Sequence, residues 1–259
     1  MSTIVLAHGV LGFGDQLPGL LHFLPAIHYF NGVADRLREQ GHIVLEPQVD
    51  PTGSVKDRGD QLADRILKQT SAGDRVHILA HSMGGLDARH AITKRTDLVG
   101  RVATLVTIGT PHRGSPVADA VANKTGPLLD KIPDLFRRKL ESNTEALHDL
   151  TTEVCSAFDD ATPDAPGVRY INVAGDASKG DSELLLFQLA SSISNITGQP
   201  NDGVGTQKSA LRANNQPLDD WPVDHAGEIG WSSALLVPFR RQRAIADHLA
   251  RYDAIVGML

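Results

Sequence analysis

Cysteine, long apolar runs and an excess of positive charge are all scarce in this chain. Its one cysteine, Cys155, cannot form an internal disulfide, so no such staple holds the fold, and the residue reads as a small, partly buried hydrophobe rather than a catalytic thiol. No run approaches the roughly 18–20 apolar residues that would span a bilayer. Acidic residues outnumber basic ones, 31 to 25, and the net charge of −6 argues against nucleic acid as a partner. His-Glu-x-x-His is absent, as is any histidine–carboxylate cluster at ligand spacing, so metal catalysis is disfavoured and no metal or cofactor is expected. Met1-Ser2-Thr3 leads straight into Ile4-Val5-Leu6-Ala7, with no basic segment and no room for a signal peptide. The expectation is a cytoplasmic protein, or a secreted one if a leader has been removed. Internal repeats and low-complexity tracts are also missing.

What remains is the composition of an ordinary soluble globular protein, 41% hydrophobic and 22% charged over 259 residues. Within it, Ala80-His81-Ser82-Met83-Gly84-Gly85 stands between an apolar run, Arg75 to Leu79, and a helical segment, Leu86 to Arg95. A serine at a strand-to-helix hinge, with small residues two before and two after it, describes a nucleophile elbow. The turn strains the serine backbone, and bulkier flanks would clash. Its product is an exposed hydroxyl beside a backbone N–H aimed at a substrate oxyanion. Ala80 stands where Gly is commoner, and its methyl is tolerable there.

Around the elbow, short apolar segments alternate with helical ones. Ile4 to Ala7, Ile43 to Leu45, Val76 to Leu79 and Val102 to Ile108 read as strands; Phe30 to Gln40, Lys56 to Gln69 and Gly85 to Lys94 read as helices. Apolar strands alternating with amphipathic helices predict a mainly parallel central sheet covered on both faces. Sites on such sheets lie at the carboxyl ends of strands. His8-Gly9, Ser82 and Thr110-Pro111-His112 all fall there. From Ser115 to about Pro166 the alternation stops, and apolar residues sit among proline and glycine breaks before a helical stretch, Glu145 to Phe158. Residues 115–166 are expected to form a helical lid inserted in a single domain spanning 1–259. Val168 to Ala174 resumes the sheet, and Leu184 to Ile196 reads as a further helix, lid or pocket wall.

A serine hydroxyl needs a base, and the base needs an acid to fix its tautomer. Behind an elbow these follow in the order Ser, Asp/Glu, His. Asn201-Asp202-Gly203-Val204-Gly205 places an aspartate on a tight turn, and Val223-Asp224-His225-Ala226-Gly227 places a histidine in a loop. Of eleven histidines, His225 fits best. His81 reads as structural, His77 lies in a strand, His90 on a helix, and His248 on the C-terminal helix, where a solvated face is the plainer use. His112 could line the pocket but precedes any acid. Asp202 is favoured over Asp176, which also follows a strand, and Asp224 is too close in sequence to orient the ring. Met83 supplies one oxyanion N–H by position. The glycine-rich loop His8-Gly9-Val10-Leu11-Gly12 supplies the second, assigned to Val10.

With these residues assembled, the chain resembles the bacterial true lipases of the α/β-hydrolase superfamily, in particular the Burkholderia/Pseudomonas/Proteus type. The resemblance runs through His8-Gly9-Val10-Leu11-Gly12, Ala80 to Gly85, Thr107 to Ser115, Asn201-Asp202-Gly203-Val204 and Asp224-His225. It implies an α/β-hydrolase fold with Ser82 as nucleophile, Asp202 as acid, His225 as base, and Val10 and Met83 as oxyanion donors. Two features depart from that family. Its structural calcium is held partly by an aspartate two residues past the catalytic histidine, where this chain has Gly227, so no calcium is expected. Neither the signal peptide of the secreted members nor the disulfide of several is visible.

The function expected is therefore a serine carboxylic-ester hydrolase, most simply a lipase working through an acyl-enzyme on a lipid or other ester, with transient contact to a lipid interface. A short-chain esterase, a polyester hydrolase, an acyltransferase, and a thioester or amide hydrolase would use the same residues. A non-catalytic binding protein would usually have lost one of the three. A dehalogenase would carry Asp at position 82.

Overall fold

The computed structural model describes residues 1–10, 29–132, 134–180, 184–218, 220–236 and 238–259. Six strands, β1 (Thr3–Ala7), β2 (Ile43–Leu45), β3 (Val76–His81), β4 (Val102–Ile108), β5 (Arg169–Val173) and β6 (Gln216–Pro217), form one sheet in the order β2-β1-β3-β4-β5-β6. Every pairing is parallel. Between the strands run α1 (Val33–Glu39), α2 (Val55–Gln69), α3 (Met83–Lys94), α4 (Pro116–Asn123), α5 (Asp134–Glu141), α6 (Thr144–Asp149), α7 (Thr152–Ala161), α8 (Leu184–Thr197) and α9 (Gln207–Ala210), and α10 (Pro238–Val256) follows β6.

Strand periodicity divides the core. Ile4 and Leu6 of β1 face one side with Leu79, Val106, Ile108, Ile171 and Val173, packed against Val33 and Leu37 of α1 and Tyr252 and Ile255 of α10. Val5 and Ala7 face the other, with Ile78, Ala80 and Leu105, under Leu62 and Ile66 of α2 and Ala88 and Ala91 of α3. Both faces of each inner strand are thus buried, which is why those strands read as continuous apolar runs. Local chemistry sets the helix starts. The Ser54 hydroxyl accepts the Asp57 N–H at the start of α2, and Ser115 caps α4 with Pro116 in the first turn, where its missing N–H costs nothing.

Residues 115–166 break into helical segments built around a third apolar cluster. Val117, Val121, Leu128, Ile132, Leu147 and Cys155 pack there with Met83 and Leu86 of α3 and Leu189 and Ile193 of α8. The helix expected over Glu145–Phe158 is two, α6 and α7. Asp119 takes the Thr152 N–H at 2.8 Å, and Thr151 adopts an extended conformation, so the continuous ladder is interrupted. The strand β6 carries no apolar signal in sequence and exists only because Gln216 and Pro217 lie beside Ile171 and Asn172. Leu11, Gly12 and Pro133 of the segments singled out by sequence lie outside the described residues. Among the described residues no helix is long and apolar enough to cross a membrane.

Ile66 is 1% exposed between α2 and the sheet. Ile66→Ala should therefore lose about 2–5 kcal/mol of stability, read as a lowered urea midpoint with an unchanged m-value.

Candidate active site

Ser82 joins β3 to α3 with φ 56° and ψ −133°, one of two non-glycine residues with positive φ among those described. Such a conformation costs of order 1–3 kcal/mol and persists only when its surroundings impose it. Here they do. The Ser82 N–H donates to the Ile108 carbonyl at 2.9 Å, and the Ser82 carbonyl accepts the Thr110 hydroxyl at 2.8 Å. The glycines around the turn are required by space. A Cβ on Gly84 would lie 2.6 Å from the Ala7 carbonyl oxygen, one on Gly9 would lie 2.7 Å from the Ser82 Cβ, and one on Gly85 would collide with the Thr110 side chain. Ala80 is fully buried, so its methyl fits the first flank.

The second expected oxyanion donor, Val10, follows directly on the Gly9 contact with Ser82 and packs against the cluster that contains Met83. Met83 opens α3, so its N–H lies in the first turn, where the helix offers no acceptor. Buried donors hold the carbonyls of this first loop. Arg58 Nη2 donates to the His8 carbonyl at 2.9 Å, while its Nε and Nη2 meet Asp87 Oδ2 at 2.9 and 2.7 Å. His8 accepts the Val49 N–H on Nε2, so its Nδ1 carries the proton and donates to the Gly9 carbonyl. Burial and the neighbouring Arg58 charge depress His8 to about 4, which keeps that ring neutral.

The structure joins Asp202 to His225. Asp202 Oδ2 lies 2.7 Å from His225 Nδ1, and the His225 N–H donates to the Asp202 carbonyl at 2.9 Å. Asp202 Oδ1 is saturated by the N–H groups of Val204 and Gly205 on a turn that Gly203 permits with φ 93°. Asp176, the rival acid, is engaged by Ser178 and Lys179, and Asp224 accepts the Gly227 N–H. The histidine loop is brought to the elbow through His81. The two imidazole centroids are 4.4 Å apart, and His81 Nε2 donates to the His225 carbonyl at 3.2 Å.

Glu228 escaped the sequence analysis. Fully buried, it sets Oε2 3.0 Å from His81 Nε2 and 3.2 Å from His225 Nδ1. Its only signal was an acid three positions after His225, which one turn of 3-10 helix brings onto the same side. His81 Nε2 faces only acceptors, so it carries the proton, and Nδ1 receives the Tyr29 hydroxyl at 2.7 Å. Burial holds the His81 pKa far below the ordinary value. Burial acts the same way on His225, but the Asp202 and Glu228 carboxylates outweigh it and raise His225 to about 10. Burial in turn raises Glu228 against the pull of the imidazolium. His81, His225 and Glu228 present ligand atoms within 4.8 Å of one another. Those atoms are already bonded to each other and to Asp202, and a metal ion would have to displace these bonds.

Two expectations are corrected. His112 does not line the site: it is fully buried, and the Thr110–Gly114 turn sets its ring between Arg89, 3.3 Å from Nδ1, and Thr107 Oγ1, 3.1 Å from Nε2. His248 is not on a solvated face; it is 2% exposed and bonded to the Asn31 carbonyl. Cys155 is buried, and burial pushes its thiol up to about 12.

Several known proteins are similar to this chain. Residues 59–161 match the family described as PGAP1-like alpha/beta domain. The chain is 29% identical to triacylglycerol lipase 2 of Saccharomyces cerevisiae over 216 residues, covering 81% of this chain and 64% of that protein. It is 28% identical to the triacylglycerol lipase of Vibrio cholerae, covering 87% of this chain and 78% of that protein. In structure it is similar to the mature Bacillus licheniformis lipase BlEst2, with a TM-score of 0.70 and 24% identity, covering 94% of this chain and 91% of that one.

Replacing Ser82 by glycine removes the side chain that makes its φ costly. Ser82→Gly should raise stability by about 1 kcal/mol in urea denaturation. An unchanged or lowered midpoint would show that the turn is not strained.

Proposed function

We propose that this chain, a member of the α/β-hydrolase superfamily related to the bacterial triacylglycerol lipases, is a serine hydrolase that cleaves lipid esters through an acyl-enzyme. The observation that best supports this reading is the strained Ser82 at the end of β3, with an Asp202–His225 hydrogen bond on the loops beside it.

In this mechanism the Ser82 hydroxyl attacks the acyl carbonyl carbon while His225 Nε2 takes its proton. Asp202 holds the Nδ1 proton and stabilises the imidazolium that forms. The negative oxygen of the tetrahedral intermediate is held by the N–H groups of Val10 and Met83. His225 then protonates the departing alkoxide, leaving Ser82 acylated. Water, deprotonated by the same histidine, attacks the acyl carbon and releases the acid. Residues 115–166 serve as the lid over this site. The apolar cluster that joins Leu128 and Ile132 to Met83 supports an apolar acyl group and a lid that meets a lipid interface.

Initial rates on p-nitrophenyl esters from acetyl to palmitoyl test this reading. Wild type should prefer medium or long chains, and Ser82→Ala should lose at least about 10⁴-fold in kcat. A short-chain optimum would make the protein an esterase. Full turnover in Ser82→Ala would remove the serine mechanism.

Asp202 and, after it, Glu228 set the pH dependence. His225 works as a base only when neutral, and two carboxylates favour its charged form, so kcat/KM should climb with pH into the alkaline range. Glu228→Gln removes one of them and should move the acid limb of the profile about 1–3 pH units lower. A limb that stays in place would exclude Glu228 from the charge balance of the histidine.

A further inference from the structure

An oxyanion donor is only as well aimed as the peptide that carries it. A trans peptide holds its C=O and the following N–H antiparallel in one plane, so a bond to the carbonyl fixes where the N–H points. In the proposed mechanism the donors are the N–H groups of Val10 and Met83. The carbonyls of those two peptides belong to Gly9 and Ser82, and each meets a buried side-chain donor.

At the elbow the donor is Thr110, which stands just past β4 and is fully buried. Its hydroxyl donates to the Ser82 carbonyl at 2.8 Å. The same carbonyl takes the Gly85 N–H of α3 at 3.1 Å, so the helix occupies one lone pair and Thr110 the other. On the other side the Ser82 N–H is held by the Ile108 carbonyl at 2.9 Å. With both neighbouring peptides tied, the ψ of −133° that sets the plane of the Ser82–Met83 peptide is held in place. Thr110 comes this close only because Gly85 has no side chain, since a Cβ there would collide with the Thr110 hydroxyl.

In the first loop the donor is His8. Its Nε2 accepts the Val49 N–H at 3.2 Å, and its Nδ1 donates to the Gly9 carbonyl at 2.9 Å, which turns the Val10 N–H away from the ring. The preceding peptide is tied as well, through the His8 carbonyl to Arg58 Nη2 at 2.9 Å. The ring is buried and neutral, so Nε2 stays an acceptor and Nδ1 is its one donor. Neither His8 nor Thr110 belongs to the Ser82, Asp202 and His225 set, and the mechanism gives neither a proton to move.

We propose that Thr110 and His8 are positioning residues, each aiming one of the two oxyanion donors by holding its peptide at the carbonyl. The proposal rests on the reading of Ser82 as nucleophile with Val10 and Met83 as donors. The charge these donors meet develops only on the way to the tetrahedral intermediate, so the two side chains act on kcat and leave ground-state binding alone. At Thr110 a mere packing role makes the opposite demand. Valine keeps the shape and would satisfy it, whereas serine, which keeps only the hydroxyl, would not.

Initial rates on p-nitrophenyl esters and inhibition by octylboronic acid, whose adduct on a serine is tetrahedral and anionic, test the assignment. Thr110→Val should lower kcat by about 10- to 100-fold with KM changed by no more than about twofold. It should weaken octylboronic acid by a similar factor. Thr110→Ser should restore most of the rate. His8→Phe should show the same split between kcat and KM. Urea midpoints verify the folds, and because the two residues act on separate loops, either folded variant carries the test. Wild-type kcat in folded Thr110→Val, Thr110→Ser as slow as Thr110→Val, or a loss of kcat with unchanged octylboronic acid affinity would each overturn the proposal. Ser82→Ala separates the two levels of failure. Turnover that survives it removes the serine mechanism itself, whereas turnover lost there but kept in Thr110→Val and His8→Phe removes only the positioning role.

Discussion

The backbone of Ser82 cannot relax without moving three strands. Its N–H is tied to the end of β4 and its carbonyl to Thr110, while α3 leaves the turn so close to β1 that only glycine fits at positions 84 and 9. The positive φ follows from the need to turn from a buried central strand into a packed helix within one residue. Everything else at the site is placed relative to that turn. The loop after β1 approaches because Gly9 has no side chain, and the histidine loop approaches because His81, the last residue of β3, reaches across to its carbonyl.

Burial and charge act together on that second loop. His225 lies between two carboxylates in a region where an uncompensated charge would be expensive. Asp202 is fully satisfied by its own turn and by the imidazole. Glu228 is shared between His225 and a neutral His81, whose Nε2 faces only acceptors and carries the proton, leaving Nδ1 to receive the Tyr29 hydroxyl. A hydrogen-bond chain thereby runs from the Tyr29 hydroxyl through His81 to the Glu228 carboxylate beside the proposed base.

The first loop is held by the same means with opposite polarity. Arg58 is entirely buried on α2, yet it meets Asp87 on α3 and the His8 carbonyl at the end of β1. Burial raises Asp87 to about 6 against the pull of Arg58, so this pair is fully charged only above mildly acidic pH. With the carbonyls of His8 and Gly9 bound from behind, the orientation of the peptides leading to Val10 is set before any substrate arrives.

Much of this was legible in the amino-acid order. The inner strands announce themselves because burial on both faces demands unbroken apolar runs. The elbow does so because sterics restrict its flanks, and Asp202 because an Asp-Gly turn has few other uses beside a later histidine. The break between α6 and α7 was not legible, since it depends on Asp119 reaching Thr152 from another helix. Strand β6 was invisible because Gln216 and Pro217 have no propensity for it apart from the edge they lie on. Sequence determined the strand–helix alternation, the strained serine turn and the Asp-Gly turn at Asp202, since these rest on local sterics and periodicity. Tertiary structure alone decided that Glu228 shares His225 and that His112 and His248 are buried, because hydrogen bonding and desolvation depend on which distant residues the fold brings together.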